Sequence, residues 1–432
     1  MFHKIPIKKV RLGLLTLVGM LALVILPATV IGRPSVAPAA APSSVSDICE
    51  TGDTTTPGTA VFDLETKTGH LQTPDGNTIL MWTYNLDGEA FQIPSPVLCV
   101  TQGTTITINL TNNLSEPSSI IFPGQTGVTP SGGTAGLFTD EAAASGGTVS
   151  YSFFASEPGT YLYESGTNPH KQVEMGLYGA LIIRPTMGAN FAYNDATTAF
   201  DPEREFLILI HDMDSTLHQA VELGNPYDIT TKHDHYWTIN GRSFPDVLAP
   251  NNVPWLPNQP YGALVWIEAS PDPDNLPPGA LIRYINAGLE NHPYHPHGNH
   301  MRVIGRDGRQ LSLPFENFGT TIGSGQTYDL QFWWVNVEGW FYPGGGGPLI
   351  RDQVTYPNIL NLVFKDGLTW FSGDPDLGVK ADLPVDATSF NECGEFYFPW
   401  HSHALNEFQN FDEGFGGLAT LVRVDPPGGC NP

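Results

Sequence analysis

Short runs of alternating apolar and polar residues recur along most of this chain. Residues 104–110 set Ile106, Ile108 and Leu110 on one side and threonine and asparagine on the other, the period-two pattern of a half-buried strand. Runs at 97–100, 151–154, 159–163 and 179–183 predict further strands, and Arg184-Pro185 then breaks the pattern. Residues 186–202 have the look of a linker. A second series opens at 205–210 and continues at 236–240, 264–268, 281–286, 302–305, 327–334, 394–399 and 418–424. Short strands at this spacing, separated by turn signals, predict an all-β chain built as sandwiches or barrels. The two series predict an N-terminal unit at 47–185 and a C-terminal unit at 203–432. The second unit carries a long irregular insertion at about 335–392, and loops of this length often serve as lids or functional elements. After the first thirty residues no long segment keeps a helical period.

Composition supports this picture, since 46 glycines and 38 prolines suit a chain of many turns. Residues 1–46 stand apart. Lys4, Lys8, Lys9 and Arg11 precede an apolar run at 12–31, and proline, alanine and serine follow at 34–44. That is the layout of an export signal, with cleavage expected near 39–41. The run is also long enough for an uncleaved membrane anchor, which is the alternative. Five basic and no acidic residues precede Asp47, so the remainder carries 14 Lys and Arg against 44 Asp and Glu, a net charge of −30. Such a surface excludes nucleic acid as a natural partner and suits a solvated, exported protein able to attract metal ions. Export also favours disulfides. Cys49 with Cys99, and Cys393 with Cys430, would each staple one end of a domain, although four cysteines allow three pairings.

The chemistry is concentrated in histidine. His292-Pro-Tyr-His295-Pro-His297-Gly298 and His401-Ser402-His403, with His300, hold six of the 13 histidines. On a strand, His-x-His puts both rings on one face. Two such pairs on neighbouring strands would gather His295, His297, His401 and His403 at one spot, a donor set that suits copper, zinc or iron. His300 is offset from this pattern and is expected to face away, and His170 has no assigned role. His233-Asp-His235 is expected to be a polar linker. His211-Asp-Met-Asp214 is an acidic cluster at a strand end with too few ligands for calcium.

These residues carry a resemblance. The second unit resembles the C-terminal cupredoxin domain of multicopper oxidases, whose signatures are H-P-x-H-x-H-G and H-C-H-x-x-x-H; here they stand as 292–298 and 401–407. Flanking text at 238–245, 281–288 and 303–308 is similar too. Residues 112–124 and 159–179 resemble the N-terminal cupredoxin domain. The resemblance implies two cupredoxin-like Greek-key β-sandwiches. It implies copper as cofactor, and a homotrimer by analogy with two-domain relatives, which place their copper cluster between subunits.

It also shows what has changed. The family holds three coppers with four His-x-His pairs and a separate blue copper with two histidines and a cysteine. At the N-terminal pairs this chain has Ile121, Pro123, Glu164 and Gly166; at the blue site His292 remains, Ser402 replaces the cysteine and Glu407 the second histidine. A blue centre needs a soft thiolate, and a serine hydroxyl stays protonated near neutral pH. The resemblance therefore implies a partial copper site at His295, His297, His401 and His403, with His292, Glu164 and Glu407 as weaker candidates. Three functions are expected to compete: a non-blue oxidoreductase, a non-catalytic copper-handling protein, and a metal-free interaction module.

Overall fold

The computed structural model describes residues 44–272, 274–335, 362–363, 369–373, 377–380, 382–411 and 416–430. Residues 1–43, where the export segment is expected, and most of the 335–392 insertion lie outside these. The described residues fall in one compact unit, Ala39–Pro432. Among them no helix is long and apolar enough to cross a membrane.

Alternation along the strands dictates two layered sandwiches. In Thr105–Asn112 every second residue is buried, and Ala60, Phe62 and Leu64 do the same in Thr59–Gln72. These two strands pair in parallel inside a five-stranded sheet with Thr78–Leu86, Gly147–Phe154 and Thr129–Ser131. Facing it is a four-stranded sheet of Cys49–Glu50, Val97–Thr101, Tyr178–Arg184 and Gly159–Glu164. The core between them includes Phe62, Ile108, Tyr151 and Leu181.

The second sandwich pairs a six-stranded sheet with a five-stranded one. The first runs Tyr236–Ile239, Phe200–Met213, Gly279–Asn286, Thr327–Phe332, Met301–Arg306, Arg309–Asn317. The other runs Val265–Glu268, Ala419–Asp425, Phe396–Ser402, His292–Pro296, Thr320–Ile322. Strands from distant parts of the sequence lie side by side, as Greek-key connections require. From Phe206 to Met213 all residues are buried, so that stretch is covered on both faces, apolar to Ile210 and then polar at His211 and Asp212. Phe206, Ile208 and Ile210 enter the second core, while Leu207 and Leu209 pack with Val97, Leu162 and Ile182 of the first sandwich. Arg283 crosses this seam, donating to Glu205 at 2.6 Å and to Thr160 at 2.7 Å.

The expected all-β fold is the observed one. Both stapled pairings occur, Cys49–Cys99 and Cys393–Cys430, with Cα atoms 5.4 and 5.3 Å apart. The expectation of strands and turns alone is incomplete, because Pro169–Gln172 forms one helical turn and a longer helix follows. Ser215–Leu223 is an α-helix, with Asp214 accepting from Thr216 N at its start and Gly224 left-handed at its end.

Candidate metal centre

The strands His292–Pro296 and Phe396–Ser402 are antiparallel neighbours, with His295 opposite His401 and Tyr294 opposite Ser402. Two further backbone bonds extend the register, from His297 N to Pro399 O and from His403 N to Pro293 O. Period-two alternation then puts His295, His297, His401 and His403 on one face. Their rings meet there. Centroids are 4.9 Å apart for His295–His297 and for His297–His401, 5.3 Å for His295–His403 and 5.7 Å for His295–His401. His401 is buried, His295 and His297 are half-buried, and His403 is exposed.

The close pair is His297 and His401, whose Nε2 atoms stand 2.8 Å apart. Nδ1 of His401 faces the Ser402 carbonyl at 2.7 Å, and Nδ1 of His295 faces the Phe318 carbonyl at 2.6 Å. Carbonyl oxygens only accept, so both Nδ1 atoms carry hydrogen and the neutral rings keep their lone pairs on Nε2. Burial drives His401 down to about 4, with the neighbouring imidazoles adding to the effect against the Ser402 carbonyl, so its ring is neutral at pH 7. Burial also lowers His295.

These residues fit a metal ion in part. Two imidazole nitrogens at right angles on one ion, each about 2.05 Å away, lie about 2.9 Å apart. The 2.8 Å spacing is therefore close to a ready-made pair of ligands, with the far nitrogen of His401 held by the Ser402 carbonyl as is common for metal-bound histidines. A closed cage is not preformed. Among the described residues, no three of these imidazoles bring a nitrogen each within 4.8 Å of one another.

The opposite face of the same strands holds a different arrangement. His292 is fully buried, with Nδ1 2.9 Å from Glu407 Oε2 and Nε2 3.0 Å from Asp212 Oδ1. Carboxylates accept, so both ring nitrogens carry protons. Burial alone would lower this histidine, but the bonds to Asp212 and Glu407 outweigh it and raise it to about 9. His292 is thus an imidazolium with no lone pair for a metal. Ser402 is buried beside it and accepts from Ala404 N at 3.2 Å.

The sequence shows Asp212 only as part of an acidic cluster and misses its bond to His292 and what lies behind it. Lys232 Nζ is 3.1 Å from Asp212 and 3.4 Å from Glu174, and also bonds Asp234. These three carboxylates lie within 4.8 Å of one another. The Lys232 ammonium already neutralises part of their charge. Burial raises Glu174 to about 8, and burial with the Asp212 charge raises Asp234 to about 6. His233–His235 lies in a loop ahead of the strand Tyr236–Ile239, where the polar linker is expected. Its backbone and flanking residues are tied to buried acids, with His233 N donating to Asp214 at 2.9 Å.

Glu164 lies elsewhere. It pairs across the backbone with Ile121, so two of the positions where the family has cluster histidines face each other in the first sandwich. A Cβ at Gly166 would meet Ile121 at 2.7 Å, which adds a third position to that patch. Burial alone raises Glu164 to about 7, with no imidazole acting on it. His300 is exposed, its ring centroid 6.0 Å from that of Phe318, which also borders His295 at 5.8 Å.

Residues 66–188 match the family model described as Multicopper oxidase. The blue copper oxidase of Nitrosomonas europaea superposes over 85% of this chain and 86% of its own, with a TM-score of 0.56 at 18% identity. By sequence, residues 66–188 are similar to the multicopper oxidase family, and the chain shares the fold of multicopper oxidases. The multicopper oxidase mgLAC is similar in fold as well, with a TM-score of 0.57, 18% identity and the same coverage. By sequence the chain is 31% identical over 128 residues to the copper-containing nitrite reductase of Neisseria meningitidis serogroup A, covering 29% of this chain and 30% of that protein. It is 26% identical over 246 residues to copper resistance protein A of Escherichia coli, covering 55% of this chain and 35% of that protein. These matches span only about a third of each curated relative. Members of the family typically bind copper.

Proposed function

We propose that this chain is an exported copper-binding member of the family, with one partial copper site at His295, His297, His401 and His403 and no blue copper. One observation carries the reading: the Nε2 atoms of His297 and His401 face each other at 2.8 Å on adjacent strands. Without a metal, His297 donates a proton into the lone pair of neutral His401. A bound cation takes that hydrogen's place, the neutral His297 ring carrying its N–H on Nδ1 instead so that Nε2 is free for the ion. His295 adds a third ring with its lone pair free of the Phe318 carbonyl, and exposed His403 is able to swing in. Copper bound there would supply a one-electron couple. Ser402 offers no thiolate, and His292 is occupied by two carboxylates, so a second centre across the strands has no ligands. Oxidation at this site is therefore non-blue. Zinc and iron compete for the same imidazoles. The family's trimer is retained as the expected assembly.

A second reading, copper handling without turnover, is favoured by the exposure of His403, which suits metal exchange. Oxygen consumption separates the two. The copper-loaded chain is given a phenol or a reducing metal ion in air. Copper-dependent uptake that vanishes in His401→Ala supports the oxidoreductase. Bound copper with no uptake above free copper supports handling.

A further inference from the structure

Behind the helix Ser215–Leu223 lie four polar atoms with no hydrogen-bond partner among the described residues: His218 Nε2, the Tyr178 hydroxyl and both ring nitrogens of His211. Their three side chains are 1% exposed or less, as is Glu174 beside them. The rings of Tyr178 and His211 are 4.5 Å apart, and His218 Nε2 stands 3.8 Å from Glu174 Oε1. Native interiors pair nearly all such atoms, so a water or an ion belongs here.

The tautomer of His218 narrows the choice. Its Nδ1 faces the Leu80 carbonyl at 2.5 Å, and a carbonyl only accepts, so Nδ1 carries the hydrogen. Burial drives His218 down to about 4, so at pH 7 the ring is neutral and Nε2 holds a lone pair. That lone pair lies near Glu174 Oε1, an acceptor already bonded by Asp214 N at 2.7 Å. Two acceptors this close call for a positive centre between them. Lys232 does not fill the place, because its ammonium stands on the other oxygen, Oε2, at 3.4 Å, shared with Asp212 and Asp234. His211 supplies a second neutral imidazole: burial drives it down to about 3, against the Asp212 charge and the Val173 backbone.

Charge points the same way. Glu174, Asp212, Asp214, Asp234 and Glu407 form one linked group, and among the described residues its salt bridges to lasting cations are those of Lys232 and the His292 imidazolium. Burial raises Glu174 to about 8, so without an ion a proton meets part of the deficit. An ion with bonds of about 2.0–2.2 Å to one imidazole nitrogen and one carboxylate oxygen spans about 3.4 Å at the tetrahedral angle, so the 3.8 Å pair closes with a small side-chain adjustment. Among the described residues His211, His218 and Glu174 do not bring one ligand atom each within 4.8 Å of one another, so His211 turns inward on binding. A cleft of about 750 Å³ lined by Leu80, Leu217 and Tyr227 opens against the same helix and brings solvent to the residues that hold and precede His218.

We infer that Glu174 and His218, joined by His211, bind a small divalent cation of the zinc class in the interior behind the helix Ser215–Leu223. This site shares no residue with the proposed copper site and stands whether or not copper binds there.

The test is zinc and cobalt(II) binding by the full chain carrying His297→Ala with His401→Ala, which removes the outer-face pair and leaves these residues untouched. After loading and dialysis about one zinc per chain is expected, and cobalt(II) should show the visible absorption of a four- or five-coordinate site. Adding Glu174→Gln, which keeps the side chain's shape, should weaken zinc at least about tenfold, and His211→Ala about tenfold, with the circular dichroism spectrum unchanged. Zinc should also raise the thermal unfolding midpoint of the chain with its site intact, reversibly with a chelator, a readout that needs no substitution at the site. No zinc retained on dialysis, zinc content that Glu174→Gln leaves unchanged, or a midpoint that zinc does not move overturns the inference and leaves water or the Glu174 proton as the occupant.

Discussion

Replacing Asp212 by asparagine keeps the side chain's shape and removes one of two charges that hold His292. The acid accepts from His292 Nε2 at 3.0 Å, from Lys232 at 3.1 Å and from the backbone of Leu289 at 3.2 Å. His292 rises from 6.5 to about 9 in the folded chain. At about 1.4 kcal/mol per unit, that is about 3 kcal/mol of stability from the imidazolium. Its sign follows from the raised value. The stabilisation is complete below about 6.5 and is lost as pH rises through about 9. Glu174, raised to about 8, also makes stability fall across this window, because the folded chain must give up a proton it holds more tightly than the unfolded one. The slope of one curve therefore does not isolate His292, but the difference between wild type and variant does. Urea unfolding at pH 6 and pH 9.5 is the assay. Asp212→Asn is expected to lose about 3 kcal/mol at pH 6, as expected when one partner of a buried pair is removed. The gap should narrow at pH 9.5, where His292 has lost its proton in both proteins. A variant as stable as wild type at pH 6, or a gap that stays constant with pH, would refute this account of His292.

Other outcomes follow from the same structure. Glu164 is raised to about 7 by burial, so its ionisation destabilises the fold increasingly between about 4.5 and 7. Glu164→Gln should raise stability by about 3 kcal/mol at pH 8 and leave it unchanged at pH 4, measured by thermal unfolding. A variant less stable at pH 8 would instead mean that the carboxylate has a partner. The Cys49–Cys99 bridge closes a sequence separation of 50, so Cys49→Ala with Cys99→Ala should cost about 4 kcal/mol in urea unfolding, and a change below about 1 kcal/mol would contradict a stabilising role. Asp214→Ala removes the N-cap of the helix Ser215–Leu223 and the acceptor of Tyr227, and should cost at least about 1 kcal/mol and loosen the adjacent cleft, read as faster amide exchange along the helix.

The parts of this molecule that depend on local period were legible in the sequence. Ile106, Ile108 and Leu110 announce their strand, and the two His-x-His pairs announce a common face that the register of His295 with His401 realises. Thr59–Gln72 alternates in its first half, but Lys67, Gly69 and His70 blur its end, and it takes its place by pairing with Thr105–Asn112. The helix Ser215–Leu223 has only Leu217 and Val221 as apolar residues on the face toward the sandwich, too few to stand out as a period. The partner of Asp212 was hidden for a different reason. Asp212 meets His292 across 80 residues of sequence, and nothing near either residue records that contact. The lost half of the cluster could be read by comparing motifs. That its replacement Glu164 is buried without a charged partner required the fold.

The central claim is a copper ion held by the paired imidazoles on the outer face of two strands. Copper content should be measured after loading and dialysis for wild type and for His297→Ala with His401→Ala. The electron spin resonance spectrum should be recorded on the same samples. The account predicts about one copper per chain with nitrogen hyperfine structure and no blue absorption band, falling to near zero in the double variant while the circular dichroism spectrum stays unchanged. Copper at about three ions per chain, a blue band, or binding untouched by the double substitution would contradict it.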